Sequence, residues 1–175
     1  MQHLVHLNKD RKLKKIIAVQ PVYALQKKNN VYLHLCSSII SQQLSVKVAD
    51  VIYKRFLNLY PTQKPSPQQI VSTELEVLRS VGLSNAKANY VQNVCRFFID
   101  EKITDAKLHK MENEELISYL TRIKGVGQWT VEMILMFTLG REDVFALDDL
   151  GIQQAMCKLF QFDSTDKKVL KHNFF

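Results

Sequence analysis

The sequence is poor in the residues that punctuate, staple or anchor a chain. Five glycines and four prolines in 175 residues leave room for long helices. Cys36, Cys95 and Cys157 are odd in number and far apart in sequence. Their spacing suits neither a zinc site nor an iron–sulfur cluster. Each lies in an apolar helical stretch, which predicts buried free thiols. Among the five histidines, only His3 and His6 stand one helical turn apart, near the N-terminus, so no metal site is expected. No apolar run reaches the length needed to cross a membrane. The first residues lack the apolar segment of a signal peptide. A chain that is not secreted and makes no membrane contact is expected. No segment sustains period-two alternation, which argues against strands.

What is present reads as helix. Hydrophobic residues make up 46% of the chain, ordinary for a folded protein and too many for disorder. The length suits one domain, or two small lobes sharing a core. The net charge of +7 fits a polyanionic partner. Residues 1–30 carry seven of the basic side chains against one acid, Asp10, whereas the remainder is nearly balanced. That N-terminal surplus reads equally as a solvated helix face or as a DNA-facing one.

In chain order, Lys9 to Val19 forms a short amphipathic pattern with Leu13, Ile16 and Ile17 inward, and Pro21 interrupts the next segment. Val31 to Ser41 is a strongly apolar helix. Ser45 can cap the next, Val46 to Tyr60, whose Ala49, Ile52, Phe56 and Leu57 face inward. Ser66-Pro67 reads as a cap with proline at the first helical position. Thr73-x-x-Glu76 reads as a capping box. Ser84 caps a long helix to about Asp100, after a tight loop at Val81 to Lys87. Thr104 and Asn113 are further caps.

The densest signal is Ile123-Lys124-Gly125-Val126-Gly127-Gln128-Trp129-Thr130, with Phe145-Ala146-Leu147-Asp148-Asp149 downstream. Leu116, Ile117, Leu120 and Ile123 recur at helical spacing before the glycines, and an apolar run extends from Val131 to Phe137 after them. Two helices joined by Gly-Val-Gly make a tight hairpin, because glycine accepts positive φ and a close backbone. The second helix then begins with unpaired N–H groups, an end that attracts phosphate.

Lys-Gly-Val-Gly-Gln-Trp-Thr followed by Asp-Val-Phe-Ala-Leu-Asp-Asp-Leu resembles the helix-hairpin-helix DNA glycosylases, and most of all the DNA-3-methyladenine glycosylase II group. Ile39-Ile40-Ser41-Gln42-Gln43-Leu44-Ser45 is a second point of resemblance. The resemblance implies an all-α fold of two helical lobes with the active-site cleft between them. Residues 30–122 would form the central lobe, 1–29 with 128–175 the second, and 123–127 the hairpin. It implies duplex DNA with damaged bases as the partner, a monomeric enzyme, and a location with the nucleoid in the cytoplasm or in the nucleus. A monovalent cation held by hairpin carbonyls is also implied. The four-cysteine cluster of some relatives cannot be built here. The likeness runs from about Asp10 to Gln161. Similar proteins continue through a Pro-Tyr-Arg segment and a tryptophan-rich helix, whereas this chain ends Lys171-His172-Asn173-Phe174-Phe175, so a shortened C-terminal end is expected.

The resemblance also assigns roles. Lys124, Gly125, Val126, Gly127, Gln128 and Thr130 would grip phosphate. Gln43 would face the DNA near the extruded base, and Asn85 falls where relatives carry the wedge that enters the duplex. Without the family, Gln42 and Gln43 read as residues satisfying junction backbone, and Asn85 as an ordinary helix start. Asp149 is the catalytic candidate, since a carboxylate can stabilise the positive charge that develops on the sugar and orient water. At a helix N-terminus it should stay ionised. Asp148 is the competing candidate, with capping as its plain role. Trp129 is the expected base-pocket aromatic, stacking on an electron-poor ring, or else a buried hairpin tryptophan. Asp149 and Trp129 are expected to open onto one cleft. Relatives that also cut the strand carry a lysine where Trp129 stands, so a monofunctional glycosylase is expected, excising 3-methyladenine or 7-methylguanine. A bifunctional oxidised-base glycosylase is disfavoured by Trp129 and the missing cysteines. A non-catalytic DNA-binding module, with Asp149 only a cap, is the reading from another class.

Overall fold

Short polar side chains cap five of the helix starts in this computed structural model, which describes residues 2–20 and 24–161. Eleven helices run through the described residues: α1 (Gln2–Leu7), α2 (Arg11–Val19), α3 (Val31–Ser41), α4 (Val46–Asn58), α5 (Pro67–Ser72), α6 (Leu75–Ser80), α7 (Asn85–Asp100), α8 (Asp105–Lys110), α9 (Asn113–Leu120), α10 (Gln128–Phe137) and α11 (Leu150–Phe160). The described chain contains no strand. Pro21 and the ending at 171–175 fall outside the described residues.

Several predicted caps form as expected. Ser84 Oγ accepts the Lys87 N–H at the start of α7. Thr104 does the same for Lys107 at α8. Ser66 and Gln69 close a reciprocal capping box around α5, with Pro67 in its first turn. Others do not. Glu74, not Thr73, precedes α6. The Thr73 hydroxyl instead donates to Gln69 O and meets the Tyr60 hydroxyl, so it closes α5. Glu112 takes the position expected of Asn113, which is already the first residue of α9. Ser45 precedes α4 without a side-chain capping bond. In α2, Leu13 and Ile17 are half-buried while Ile16 remains 43% exposed.

The chain divides into two compact units, residues 1–25 with 145–175 and residues 26–144. These boundaries differ from the lobes expected from the resemblance, because α10 packs on α3 and α9 and so groups with the central helices. In the unit 26–144, α7 is the central element, laid against α3, α5 and α6. Its core includes Leu35, Ile39, Phe56, Leu78, Val91, Leu116 and Leu135, all fully buried. Each such leucine or isoleucine contributes about 1.5–3 kcal/mol of hydrophobic stabilisation. Cys36 and Cys95 lie in this core with their sulfurs 4.0 Å apart, unpaired, whereas Cys157 in α11 is only half-buried. The Cys95 sulfur and burial together push the Cys36 thiol well above its ordinary pKa.

The start of α3 has an unforeseen cap. Asn30 precedes it in the left-handed region and offers no side-chain bond. Asp105, from the first turn of α8, accepts the N–H groups of Asn30 and Val31 at 2.6 and 3.1 Å. A carboxylate on the positive end of a helix is favourable wherever it comes from in sequence.

Candidate nucleic-acid interface and base pocket

The hairpin is built by α9, a turn over 121–127, and α10. Thr121 Oγ1 donates to Ile117 O, Ile123 N–H to Leu120 O and Val126 N–H to Ile123 O, which winds the chain tightly off α9. Ile123 and Val126 are 3% and 4% exposed and pin the turn to the core. The two glycines have different reasons. Gly125 holds φ +104, and a Cβ there would collide with the Tyr90 ring from α7. The fold itself demands glycine. At Gly127 the backbone is extended and a Cβ would meet nothing within 4 Å. A side chain at that position would clash with none of the described residues.

Gly127 opens α10 without any side-chain cap. The first intrahelical bond at this end runs from Val131 N–H to Gly127 O. The N–H groups of Gln128, Trp129 and Thr130 precede it, as expected at a helix start. The side chains around them are sorted by the helix. Gln128 turns back to donate to Glu132 Oε1 at 2.9 Å, and Thr130 is buried at 3% exposure. Gln128 stays exposed while its amide is engaged within α10. Lys124 is exposed, and its carbonyl accepts from Asn93 Nδ2 at 3.4 Å.

Trp129 is 39% exposed, so it is not the buried hairpin tryptophan of the plainer reading. It lines a pocket of about 250 Å³ together with His34, Ser37, Ser38, Met133 and Phe137. One wall is apolar and the other carries hydroxyls and an imidazole. Burial lowers the His34 pKa below 6.5; Lys28 lowers it further, while Asp105 acts in the opposite sense. A larger hollow of about 510 Å³, beside Tyr32, Phe98 and Lys102, includes none of the catalytic, base-pocket or DNA-binding candidates.

Two loops of the same unit carry the other candidates. Gln43 is exposed and holds φ +58, a conformation that turns the chain out of α3. Its neighbour Gln42 points the other way, and its amide reaches Gly125 O at 3.4 Å. Asn85 is the exposed first residue of α7, directly after the Ser84 cap, and its carbonyl accepts from Asn89. The turn before it relies on Gly82 at φ +111, close over Ile52.

Asp149 belongs to the other unit. It is the N-cap of α11, with Oδ1 accepting the Ile152 N–H at 2.9 Å. The capping role open to Asp148 thus falls to Asp149. Its neighbours fix it. Asp149 N–H donates to Ala146 O, Ala146 is fully buried, and Gln153 Nε2 donates to Leu147 O at 2.7 Å. A Cβ on Gly151 would stand 3.1 Å from Asp149 Oδ1, so glycine leaves that oxygen its room. Gly151, Gln153 and His34 were not singled out in sequence as site residues, and Tyr90 was expected only to pack within its helix. Only Gly151, two residues past the aspartate pair, carried any local signal.

A glycine-turned helical hairpin feeding an uncapped helix, beside an exposed tryptophan, defines the helix-hairpin-helix class. The family pattern that matches, over residues 36–174, is that of the HhH-GPD superfamily of base excision DNA repair proteins, and the chain belongs to it. The match runs well past Gln161, where the motifs alone stopped. The chain is 36% identical over 177 residues to DNA-3-methyladenine glycosylase 1 of Schizosaccharomyces pombe, covering 98% of this chain and 77% of that protein. A solved structure of the S. pombe 3-methyladenine DNA glycosylase in complex with abasic DNA superposes with TM-score 0.84 at 33% identity, covering 98% of this chain and 87% of that one. DNA-3-methyladenine glycosidase from Bacillus halodurans gives 0.82 at 35% identity, covering 95% and 77%. Other relatives are longer: the chain spans 50% of a 33%-identical one from Bacillus subtilis.

Proposed function

We propose that this chain removes alkylated bases from duplex DNA in base excision repair by hydrolysing the N-glycosidic bond. The observation that carries the proposal is the exposed Trp129 ring, lining a pocket one residue inside the uncapped start of α10. Relatives named for 3-methyladenine release support it.

A base in a duplex must leave the stack before chemistry, at a cost of a few kcal/mol. The amides at Gln128 to Thr130, with Lys124 beside them, would hold a phosphate without reading sequence. The open space over Gly127 is where that phosphate would approach. Gln43 would fill space near the extruded base, and Asn85 would enter the duplex as the wedge. Trp129 would stack on the electron-poor ring of an alkylated purine. Such a base already carries positive charge and leaves without strong acid assistance. Asp149 would then stabilise the charge on the sugar and orient water. The monovalent cation suits a turn of main-chain carbonyls, since hard cations take oxygen ligands. The carbonyls of residues 123–126 would hold it; those of Ile123, Lys124 and Gly125 also accept from Val126 N–H, Asn93 and Gln42, and each keeps a second lone pair. We infer no strand-cutting activity, because no lysine stands at the Trp129 position, and from the resemblance a monomer nearest to the glycosylase II group.

Asp149→Asn separates this from a non-catalytic DNA-binding module, the reading that the Asp149 cap favours. Asparagine caps a helix as well as aspartate, so the fold is kept while the charge is lost. On DNA carrying 3-methyladenine or 7-methylguanine, release should fall by about 100-fold or more with DNA binding retained. A folded, unmutated protein that releases no base would favour the binding module.

A further inference from the structure

Lys87 does not behave as a surface lysine. It lies two residues after Asn85, in the first turn of α7. Its ammonium donates to Ile40 O at 2.9 Å and Gln42 O at 2.7 Å. Both acceptors belong to the C-terminal end of α3, where the last carbonyls have no helical partner. Burial lowers the Lys87 pKa, as expected of a charge withdrawn from water. Directly beyond those carbonyls, Gln43 takes φ +58. A residue with a side chain stays in that region only where its surroundings hold it. Gln42, whose carbonyl Lys87 grips, in turn sends its amide to Gly125 O in the hairpin.

We propose that Lys87 is a positioning residue that fixes the Gln43 loop to the Asn85 loop, and that Gln42 carries the tie on to the hairpin. Three loops far apart in sequence then move as one piece, so the fill, the wedge and the phosphate grip keep their spacing when a duplex is forced open. The positive charge of Lys87 is committed to carbonyls and is not a phosphate contact. The inference rests on the reading that Gln43 and Asn85 face DNA.

The test compares Lys87→Met and Lys87→Arg with the unmutated chain on two substrates. One is a fully paired duplex with a single 7-methylguanine. The other has the same lesion in a small bulge, where little pairing must be broken. Lys87→Met should lose about tenfold or more on the paired duplex, the scale of a misplaced catalytic group. It should keep release from the bulge within about threefold, since that substrate needs less opening. Lys87→Arg should recover most of the loss. The salt dependence of DNA binding should be unchanged, whereas losing a phosphate contact would lower the slope of log K against log salt by about 0.9. Equal losses on both substrates, no loss on either, or that change of slope would each overturn the inference. If the unmutated chain releases no base at all, the proposed function fails on its own, and the tie is then judged by amide exchange. Lys87→Met should speed exchange at Leu44, whose N–H donates to Ser41 O, and leave Val91 and Val94 protected. An unchanged Leu44 would overturn it.

Discussion

Single residues carry this site, and several look alike in sequence while doing unlike work. Gly125 and Gly127 are two positions apart, yet only Gly125 is required by the protein's own packing against Tyr90. Gly127→Ala should therefore leave the melting temperature nearly unchanged and weaken binding to duplex DNA severalfold, read by fluorescence anisotropy. If binding is untouched, phosphate does not approach there. Asp148 and Asp149 form the same kind of pair. The capping bond to Ile152 and the room left by Gly151 distinguish Asp149. On the proposed monofunctional reading, in which Trp129 would stand in place of a Schiff-base lysine, borohydride should trap no covalent complex between the protein and lesion-bearing duplex. A trapped adduct would overturn the monofunctional reading.

At the scale of elements, the helices are local statements with non-local corrections. Ser84, Thr104 and the Ser66–Gln69 box define starts that a short window of sequence contains. The cap of α3 does not, because Asp105 reaches it across 74 and 75 residues of chain. Asp105→Ala should destabilise the fold by about 1–3 kcal/mol, the cost of losing two charge-assisted bonds to backbone, one exposed and one part-buried. Urea denaturation would show this as a lower midpoint with the slope unchanged. A midpoint shift under a few tenths of a kcal/mol would mean that water replaces the carboxylate. Thr73 illustrates the opposite correction. Its sequence spacing to Glu76 satisfies the capping-box pattern, but its hydroxyl is taken by Gln69 O and Tyr60.

At the scale of the whole molecule, the buried core and Asp149 lie in different segments. The buried hydrophobic cluster runs from Val31 to Leu139, all within residues 26–144. A chain of residues 26–144 should therefore melt cooperatively and bind DNA through the hairpin. It should release no base, because Asp149 lies outside it. Release from that fragment would remove Asp149 from the chemistry. Five of the seven basic residues of 1–30 belong to the other segment. In α2 no residue is buried, and Lys12 lies 5.0 Å over the Phe160 ring. At least one of those charges is thus engaged within its own unit.

The sequence by itself determined the helical class, the hairpin and its glycines, and the family, because periodicity, turn residues and caps act within a few positions. It pointed to Asp149 and Trp129 only through the family resemblance that their motifs carry. The tertiary structure decided which glycine the core needs, which aspartate caps, where Asp105 and Lys87 put their charges, and that Cys36 meets Cys95. Those are contacts between segments dozens of residues apart. No local pattern encodes them, since they exist only once packing has brought unrelated helices to within hydrogen-bond reach.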